Sequence, residues 1–230
     1  MKLVLFDIDG TLLWTDGAGR RAMAAALTEV FGSAGPASYR YDGKTDPQIV
    51  RDLMRYAGHA DEHIDSRLEH LLERYLTGLE RELAAGTHAP RVYEGVPELL
   101  DALEARSDVV LGLLTGNLAR GAAMKLRAAG IDPGRFRVGA FGSDHHHRPE
   151  LPSIARRRAL DILGLELPGD SLVVVGDTPA DIECGRELGA RAIAVATGHY
   201  TVEELSRHHP AAVFATLADT AAVMRAVMDA

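Results

Sequence analysis

One cysteine, Cys184, is all the chain holds in 230 residues, so an internal disulfide is excluded and a reducing compartment fits. Dense Lys/Arg blocks are missing too. Beyond the short run Arg156-Arg157-Arg158 positive charge is scattered, and the formal net charge is -8. That balance argues against nucleic acid as the main partner. It also sets a problem for any anionic ligand, because local cations or a metal must work against the overall field. No apolar run reaches the ~18 residues of a membrane span, and no leader-like segment precedes the first strand pattern, so a cytoplasmic chain free of membranes is expected. Apolar residues make up 47%, ordinary for a globular protein with a proper core, and the length suits one large or two modest domains.

What is present centres on the first strand pattern, Lys2-Leu3-Val4-Leu5-Phe6-Asp7-Ile8-Asp9-Gly10-Thr11-Leu12. Residues alternate in direction along an extended backbone, so Asp7 and Asp9 point the same way where the strand ends. Two like charges held that close call for a cation or a shared proton between them; the alternative is a solvated Asp-Gly turn. Later segments decide between these. Gly17-Ala18-Gly19-Arg20-Arg21-Ala22 resembles a dinucleotide-binding loop but starts ~10 residues too late after its strand, and reads instead as a flexible entry to a helix. Gly43-Lys44-Thr45 fails as a P-loop tail, since Ser38 stands where the first glycine belongs.

From Thr45 to about residue 86 the pattern is helical throughout, with a helix from Pro47 capped by Thr45 or Asp46 and then a longer amphipathic stretch from Ile64 to Leu83. Beyond Gly95 helices alternate with all-apolar strands. Helices are expected over 96–106, 118–129, 151–163, after Pro179, and from about residue 217. Strands are expected over 109–114, 136–141, 172–175 and 192–196. Strands without polar alternation are buried on both faces, which predicts an α/β fold: a Rossmann-like parallel sheet with helices on both sides. The expected core is 1–16 and 88–230, with 17–87 a small all-helical cap inserted after the first strand, hinged near residues 16–17 and 91–92.

Ligands of such sheets bind beyond the carboxyl ends of the strands, and three apolar strands deliver Asp7/Asp9, Thr115-Gly116-Asn117 and Asp177/Asp181 to that rim. Each segment alone has a plainer reading. Asn117 fits a helix cap, and Thr178-Pro179-Ala180-Asp181 fits a capping box, which leaves Asp181 as either cap or ligand. Together the carboxylates ask for a hard divalent cation, Mg²⁺. Asp7 is then a candidate nucleophile, Thr115 a hydroxyl donor, Gly116 a backbone donor, and Arg148 the guanidinium for a phosphate. Metal, donors and guanidinium around an attacking carboxylate describe phosphoryl transfer.

In order and spacing, Asp7-Ile8-Asp9-Gly10-Thr11-Leu12, Thr115-Gly116-Asn117, Arg148-Pro149 and Gly176-Asp177-Thr178-Pro179-Ala180-Asp181 resemble the four motifs of the haloacid dehalogenase superfamily, closest to its phosphoglycolate phosphatase-like hydrolases. The resemblance implies Asp7 as nucleophile and metal ligand. Asp9 would be the acid/base whose backbone carbonyl binds Mg²⁺, Asp177 and Asp181 further metal residues, and Thr115, Gly116, Asn117 and Arg148 the phosphate holders. That superfamily usually has lysine where Arg148 stands. The acid at position 9 favours an ester over a halide leaving group, so a phosphatase acting on small-molecule phosphate monoesters, phosphoglycolate-like ones included, is expected. A sugar-phosphate mutase is the alternative, with Lys44 and Arg20 available for a second phosphate. A phosphonate hydrolase would need Lys44, the only lysine of the insertion, and a phospho-aspartate signalling module would not need the insertion. Lys44 and Arg20 are otherwise candidates for substrate selection, and a monomer or weak homodimer is expected. His145-His146-His147 reads as a solvated loop rather than a metal site, because Mg²⁺ prefers oxygen. Trp14 is expected where core meets cap, and Cys184 buried rather than reactive.

Overall fold

In the computed structural model, which describes residues 1–85 and 89–229, the opening apolar run forms β1 (Lys2–Phe6), and Leu3 to Phe6 are wholly shielded from solvent. Val4 and Phe6 enter one core while Leu3 and Leu5 enter another on the opposite face. A strand buried on both sides carries no polar alternation, hence the unbroken apolar run. A two-residue strand, β2 (Leu13–Trp14), is followed by α1 (Ala18–Phe31), α2 (Asp46–Tyr56) and α3 (Asp61–Ala84). Then β3 (Arg91–Val92) returns antiparallel to β2, pairing Leu13 with Val92 and Trp14 with Arg91. The three helices are the cap inserted after β1. They share their own core, built on Met23, Leu27, Leu53, Ile64, Leu71 and Leu79. Each such side chain contributes about 1.5–3 kcal/mol by leaving water. Asp46, with Pro47 next to it, opens α2, and the Thr45 hydroxyl accepts the Gln48 N–H at 3.2 Å. The expected boundary at residues 87 and 88 lies outside the described residues.

The rest of the chain runs α4 (Val96–Glu104), β4 (Val109–Thr115), α5 (Ala119–Ala128), β5 (Val138–Phe141), α6 (Leu151–Leu163), β6 (Leu172–Gly176), α7 (Pro179–Cys184), β7 (Arg191–Val195), α8 (Val202–Ser206), β8 (Ala212–Phe214) and α9 (Thr220–Asp229). Among the described residues the larger sheet is six-stranded, in the order β5-β4-β1-β6-β7-β8, and every pairing is parallel. α4, α5 and α9 cover the Val4/Phe6 face, and α6 and α7 the Leu3/Leu5 face. The fold is therefore the expected Rossmann-like sheet with a helical cap. After β5 the chain crosses back to the far side of β1, so β1 and β6 flank the crevice where strand order reverses. That crevice is where such sheets bind ligands.

Several boundaries differ from the sequence reading. The closing helix starts at Thr220, where Asp219 Oδ1 accepts the Ala222 N–H at 2.9 Å, and Leu217 is buried in the loop before it. The fourth helix stops at Glu104, and the strand before Phe141 starts at Val138, after a 3₁₀ turn over Pro133–Arg135. The β2–β3 ribbon, α8 and β8 had no sequence counterpart. No helix among the described residues is long and apolar enough to cross a membrane.

Candidate active site

β1 and β6 end side by side, and their first residues past the sheet, Asp7 and Asp177, face each other with exposures of 6% and 3%. The turn after β1 is shaped to fit this neighbour. Gly10 has φ of 86°, and a Cβ there would overlap the Asp177 carboxylate. The next residue, Thr11, donates its hydroxyl to Asp177 Oδ1 at 3.0 Å, and Thr197 donates to the Gly10 carbonyl at 2.5 Å. Asp181, on the first turn of α7, completes the group: ligand oxygens of Asp7, Asp177 and Asp181 lie within 4.8 Å of one another.

Arg148 enters the same space from a 3₁₀ turn ahead of α6. It is buried to 4% exposure, with its guanidinium against Asp181 and 3.4 Å from Asp7 Oδ1. Arg158 ties this loop down, gripping both oxygens of Asp144 at 2.6 and 2.8 Å. Asp181 is both cap and cluster member. Its Oδ2 accepts the Thr178 N–H at 3.0 Å and the Thr178 hydroxyl at 2.6 Å, while Oδ1 faces Arg148. Asp7 and Asp177 are less well compensated. Burial pushes Asp7 up to about 6, with Arg148 pulling it down and Asp181 and Asp9 pushing it up. Burial raises Asp177 well above the usual carboxylate range, and Asp181 and Asp7 add to this. Three buried acids against one guanidinium leave a surplus of negative charge and oxygen donors, which fits a divalent cation. Nε of Arg148 is buried and has no hydrogen-bond partner among the described residues.

At the end of β4, Thr115, Gly116 and Asn117 border the carboxylates. Gly116 is required by close approach, since a Cβ would overlap the Lys44 carbonyl of the cap. The Asp46 N–H donates to the Gly116 carbonyl at 2.8 Å, Asp46 Oδ2 accepts the Leu118 N–H at 2.9 Å, and the Thr45 hydroxyl donates to the His146 carbonyl at 2.6 Å. The cap thus rests directly on this loop. Asp46 caps α5, whose own Leu118 offers no side-chain cap.

Asp9 lies beside the carboxylate group rather than within it. Its Oδ2 receives Asn117 Nδ2 at 2.8 Å and Lys125 Nζ at 2.6 Å. Lys125 and the hydrogen bond from Thr11 to Asp177 were missed by the sequence reading; Thr178 is the cap it expected, and Asp46, one of the two residues expected to cap α2, caps α5 while Thr45 caps α2. Lys125 left one usable signal: Leu118, Ala122, Lys125 and Ala129 fall on a single helical face, an apolar stripe with one ammonium in it.

A cavity of about 560 Å³ opens above these groups, between core and cap. It reaches Asp7, Asp9, Thr115, Gly116, Asn117, Arg148 and Asp177 below and Arg20 and Lys44 above. Both upper cations are engaged. Lys44 pairs with Asp52 at 3.1 Å and sits 4.5 Å over the Tyr39 ring. Arg20 donates to the carbonyls of Ala37 and Tyr39 at 2.5 and 2.9 Å. Trp14 borders the cavity, its ring edge-on to His199 at 6.2 Å. His145 stacks on His146 at 4.9 Å in the loop leading to Arg148, with His146 and His147 exposed. Cys184 is buried, and burial pushes its thiol up to about 12, so it is not a nucleophile at neutral pH.

Residues 4–186 match the family model described as haloacid dehalogenase-like hydrolase. The chain is 31% identical to a phosphoglycolate phosphatase of Rhodospirillum rubrum, over 93% of this chain and 86% of that enzyme. It is 29% identical to an N-acetylmuramic acid 6-phosphate phosphatase of Pseudomonas aeruginosa, over 90% and 87% respectively. Among solved structures, a hydrolase from Pseudomonas syringae superposes with a TM-score of 0.74 at 22% identity, over 98% of both chains, and so shares the fold. With the sheet, the inserted cap and the aspartate cluster of that family all in place, the chain belongs to the haloacid dehalogenase-like hydrolases and is a phosphoric monoester hydrolase.

Proposed function

We propose that this enzyme is a Mg²⁺-dependent phosphatase of small-molecule phosphate monoesters that works through an aspartyl-phosphate on Asp7. The observation that carries the reading is the buried meeting of Asp7, Asp177 and Asp181 at the β1–β6 crevice, with Asp9 two residues along the same strand end. Asp7, Asp177 and the Asp9 backbone carbonyl would hold the cation, with Asp181 as ligand or as the bracket between Thr178 and Arg148. When bound, the cation withdraws charge from the phosphoryl group. Thr115, Gly116 and Asn117 border the place for the phosphoryl oxygens, and Arg148 offsets their charge. Asp7 attacks phosphorus while Asp9 gives its proton to the leaving oxygen. Asp9 then takes a proton from the water that releases phosphate.

The proposal extends to the domains, core 1–16 and 88–230 with cap 17–87, and to cap opening near residues 16–17 and 91–92. Asp16 and Gly17 both have positive φ there, and the β2–β3 ribbon joins the two crossings. A cytoplasmic, reducing setting belongs to it as well, supported by the lone cysteine. A mutase would need cap cations for a second phosphate, and the engagement of Lys44 and Arg20 offers that reading no support.

The test is a phosphate-release screen with and without Mg²⁺. It would cover 2-phosphoglycolate, N-acetylmuramic acid 6-phosphate, nucleoside 5′-monophosphates and hexose phosphates, since relatives act on such different esters. Release that EDTA abolishes and excess Mg²⁺ restores is expected; release indifferent to EDTA sinks the proposal. Within that panel Lys44→Ala is expected to change the ranking of KM values, with kcat on the best ester changing less. Identical rankings would remove Lys44 from substrate selection.

A further inference from the structure

We propose that Lys125 is a positioning residue for the acid/base carboxylate: with Asn117 it fixes Asp9 Oδ2 so that Oδ1 is presented to the leaving group. This rests on the reading of Asp9 given above. Lys125 stands on α5, among the apolar residues Ala122 and Leu126, and is 4% exposed. Taking an ammonium out of water costs several kcal/mol unless its bonds are well made. Among the described residues they are made to two side chains, Asp9 Oδ2 and Asn117 Oδ1, each at 2.6 Å. Asn117 closes the triangle, donating to Asp9 Oδ2 at 2.8 Å and reaching Thr115 Oγ1 at the same distance. The amide and the ammonium therefore converge on one carboxylate oxygen. Oδ1 accepts no hydrogen bond among the described residues, and Asp9 borders the cavity.

The cap forms the other wall of this pocket. A Cβ on Gly19 would lie 3.2 Å from Nζ and 3.7 Å from the Tyr75 hydroxyl, so α1 and α3 close over the ammonium. Asp46 adds its charge from α2. A lysine needed only to neutralise surplus acids could do so at the solvent edge. This one lies below the cap, 4% exposed and held by two short hydrogen bonds, so it can hold its partner in turn.

A bond forms between an Asp7 oxygen and phosphorus as the ester P–O bond breaks, and the leaving oxygen takes the Asp9 proton. Water then attacks phosphorus and returns a proton to Asp9, freeing orthophosphate and Asp7. Proton delivery matters for an alkoxide leaving group and far less for 4-nitrophenolate. Misplacing Asp9 should therefore penalise alkyl esters selectively, which a general loss of structure would not do.

The experiment compares kcat/KM of the full chain with Mg²⁺ for 4-nitrophenyl phosphate and for an alkyl monoester from the screen, in wild type, Lys125→Met, Asp9→Asn and the double variant. Lys125→Met is expected to lose about 10²-fold on the alkyl ester, with a loss of only a few-fold on the aryl ester. The double variant should be no worse than Asp9→Asn alone, since the lysine acts through that carboxylate. Should Lys125→Met fail to fold, Lys125→Arg keeps the charge but moves the donors, and the same selective loss is expected. Equal losses on both esters, or none, overturn the proposal. If Asp9→Asn discriminates between the esters and the lysine variants do not, the positioning role alone falls. If Asp9→Asn leaves both esters at the wild-type rate, the acid/base reading falls and the lysine proposal goes with it.

Discussion

Asp7→Asn is expected to cut turnover by at least about 10⁴-fold while leaving the protein folded and no less stable at pH 8. The carboxamide fills the same space at the end of β1 but cannot attack phosphorus. Uncatalysed monoester hydrolysis is so slow that a single donor or acid, worth ~10²–10⁴, cannot compensate. Stability moves the other way. Burial lifts the Asp7 carboxyl to about 6, with Arg148 lowering it and Asp181 and Asp9 raising it further. The ionised form present at pH 8 is therefore an uphill state in the metal-free fold. For an acid raised in this way the stabilising contribution is fully present below the unfolded value near 4 and is lost as pH rises through about 6. Asparagine carries no such penalty, so its melting temperature should fall less than that of wild type between pH 5 and pH 8 in EDTA. Phosphate release and thermal melts on the same preparation check both halves, and retained turnover would remove Asp7 from the chemistry.

The difference between Asp7 and Lys125 shows what a sequence makes legible. Asp7, Asp9, Asp177 and Arg148 stand where an apolar strand or a proline-marked turn stops, and a break in hydrophobicity is visible in one dimension. β1, β4 and β6 were readable because burial on both faces leaves uninterrupted apolar runs, and their parallel order then follows from the helices between them. Lys125 sits in Met124-Lys125-Leu126-Arg127, where two cations alternate with apolar residues and neither stands out. Only helical phase separates it from Arg127, which is exposed. Asp46 reads in the sequence as one of two candidate caps of its own helix. That it caps α5 rather than its own helix depends on cap docking, which no local pattern encodes. β8 escaped notice because Ala212–Phe214 is a short, half-buried edge strand, and β2 and β3 because two residues carry no period. The fold was thus legible where burial is complete, and the site where chemistry coincides with a strand end.

Arg148→Met is expected to lower stability by about 3–5 kcal/mol at pH 8, the usual effect of removing one partner from a buried ion pair, and turnover by at least about 10²–10³-fold. The guanidinium is the one cation among the described side chains that touches both Asp7 and Asp181. Burial alone would lower its affinity for a proton, but Asp181 and Asp7 outweigh that and hold it charged. Without it, Asp7, Asp177 and Asp181 face one another uncompensated. The deficit should shrink as pH falls. Asp7 in the variant loses the group that pulls it down, so its carboxyl rises above the wild-type value of about 6 and is protonated at pH 5. Denaturant titrations of both proteins in EDTA should accordingly show a gap that is widest at pH 8 and narrows through pH 6. Adding Mg²⁺ at pH 8 should recover part of it, since a cation replaces part of the lost charge. A gap of constant size would mean that methionine fails for reasons of shape. Arg148→Lys separates the two contributions further, because lysine restores a charge without the two-pronged reach. Stability close to wild type with turnover still depressed would assign the guanidinium's planar fork to the phosphoryl group and its charge to the fold.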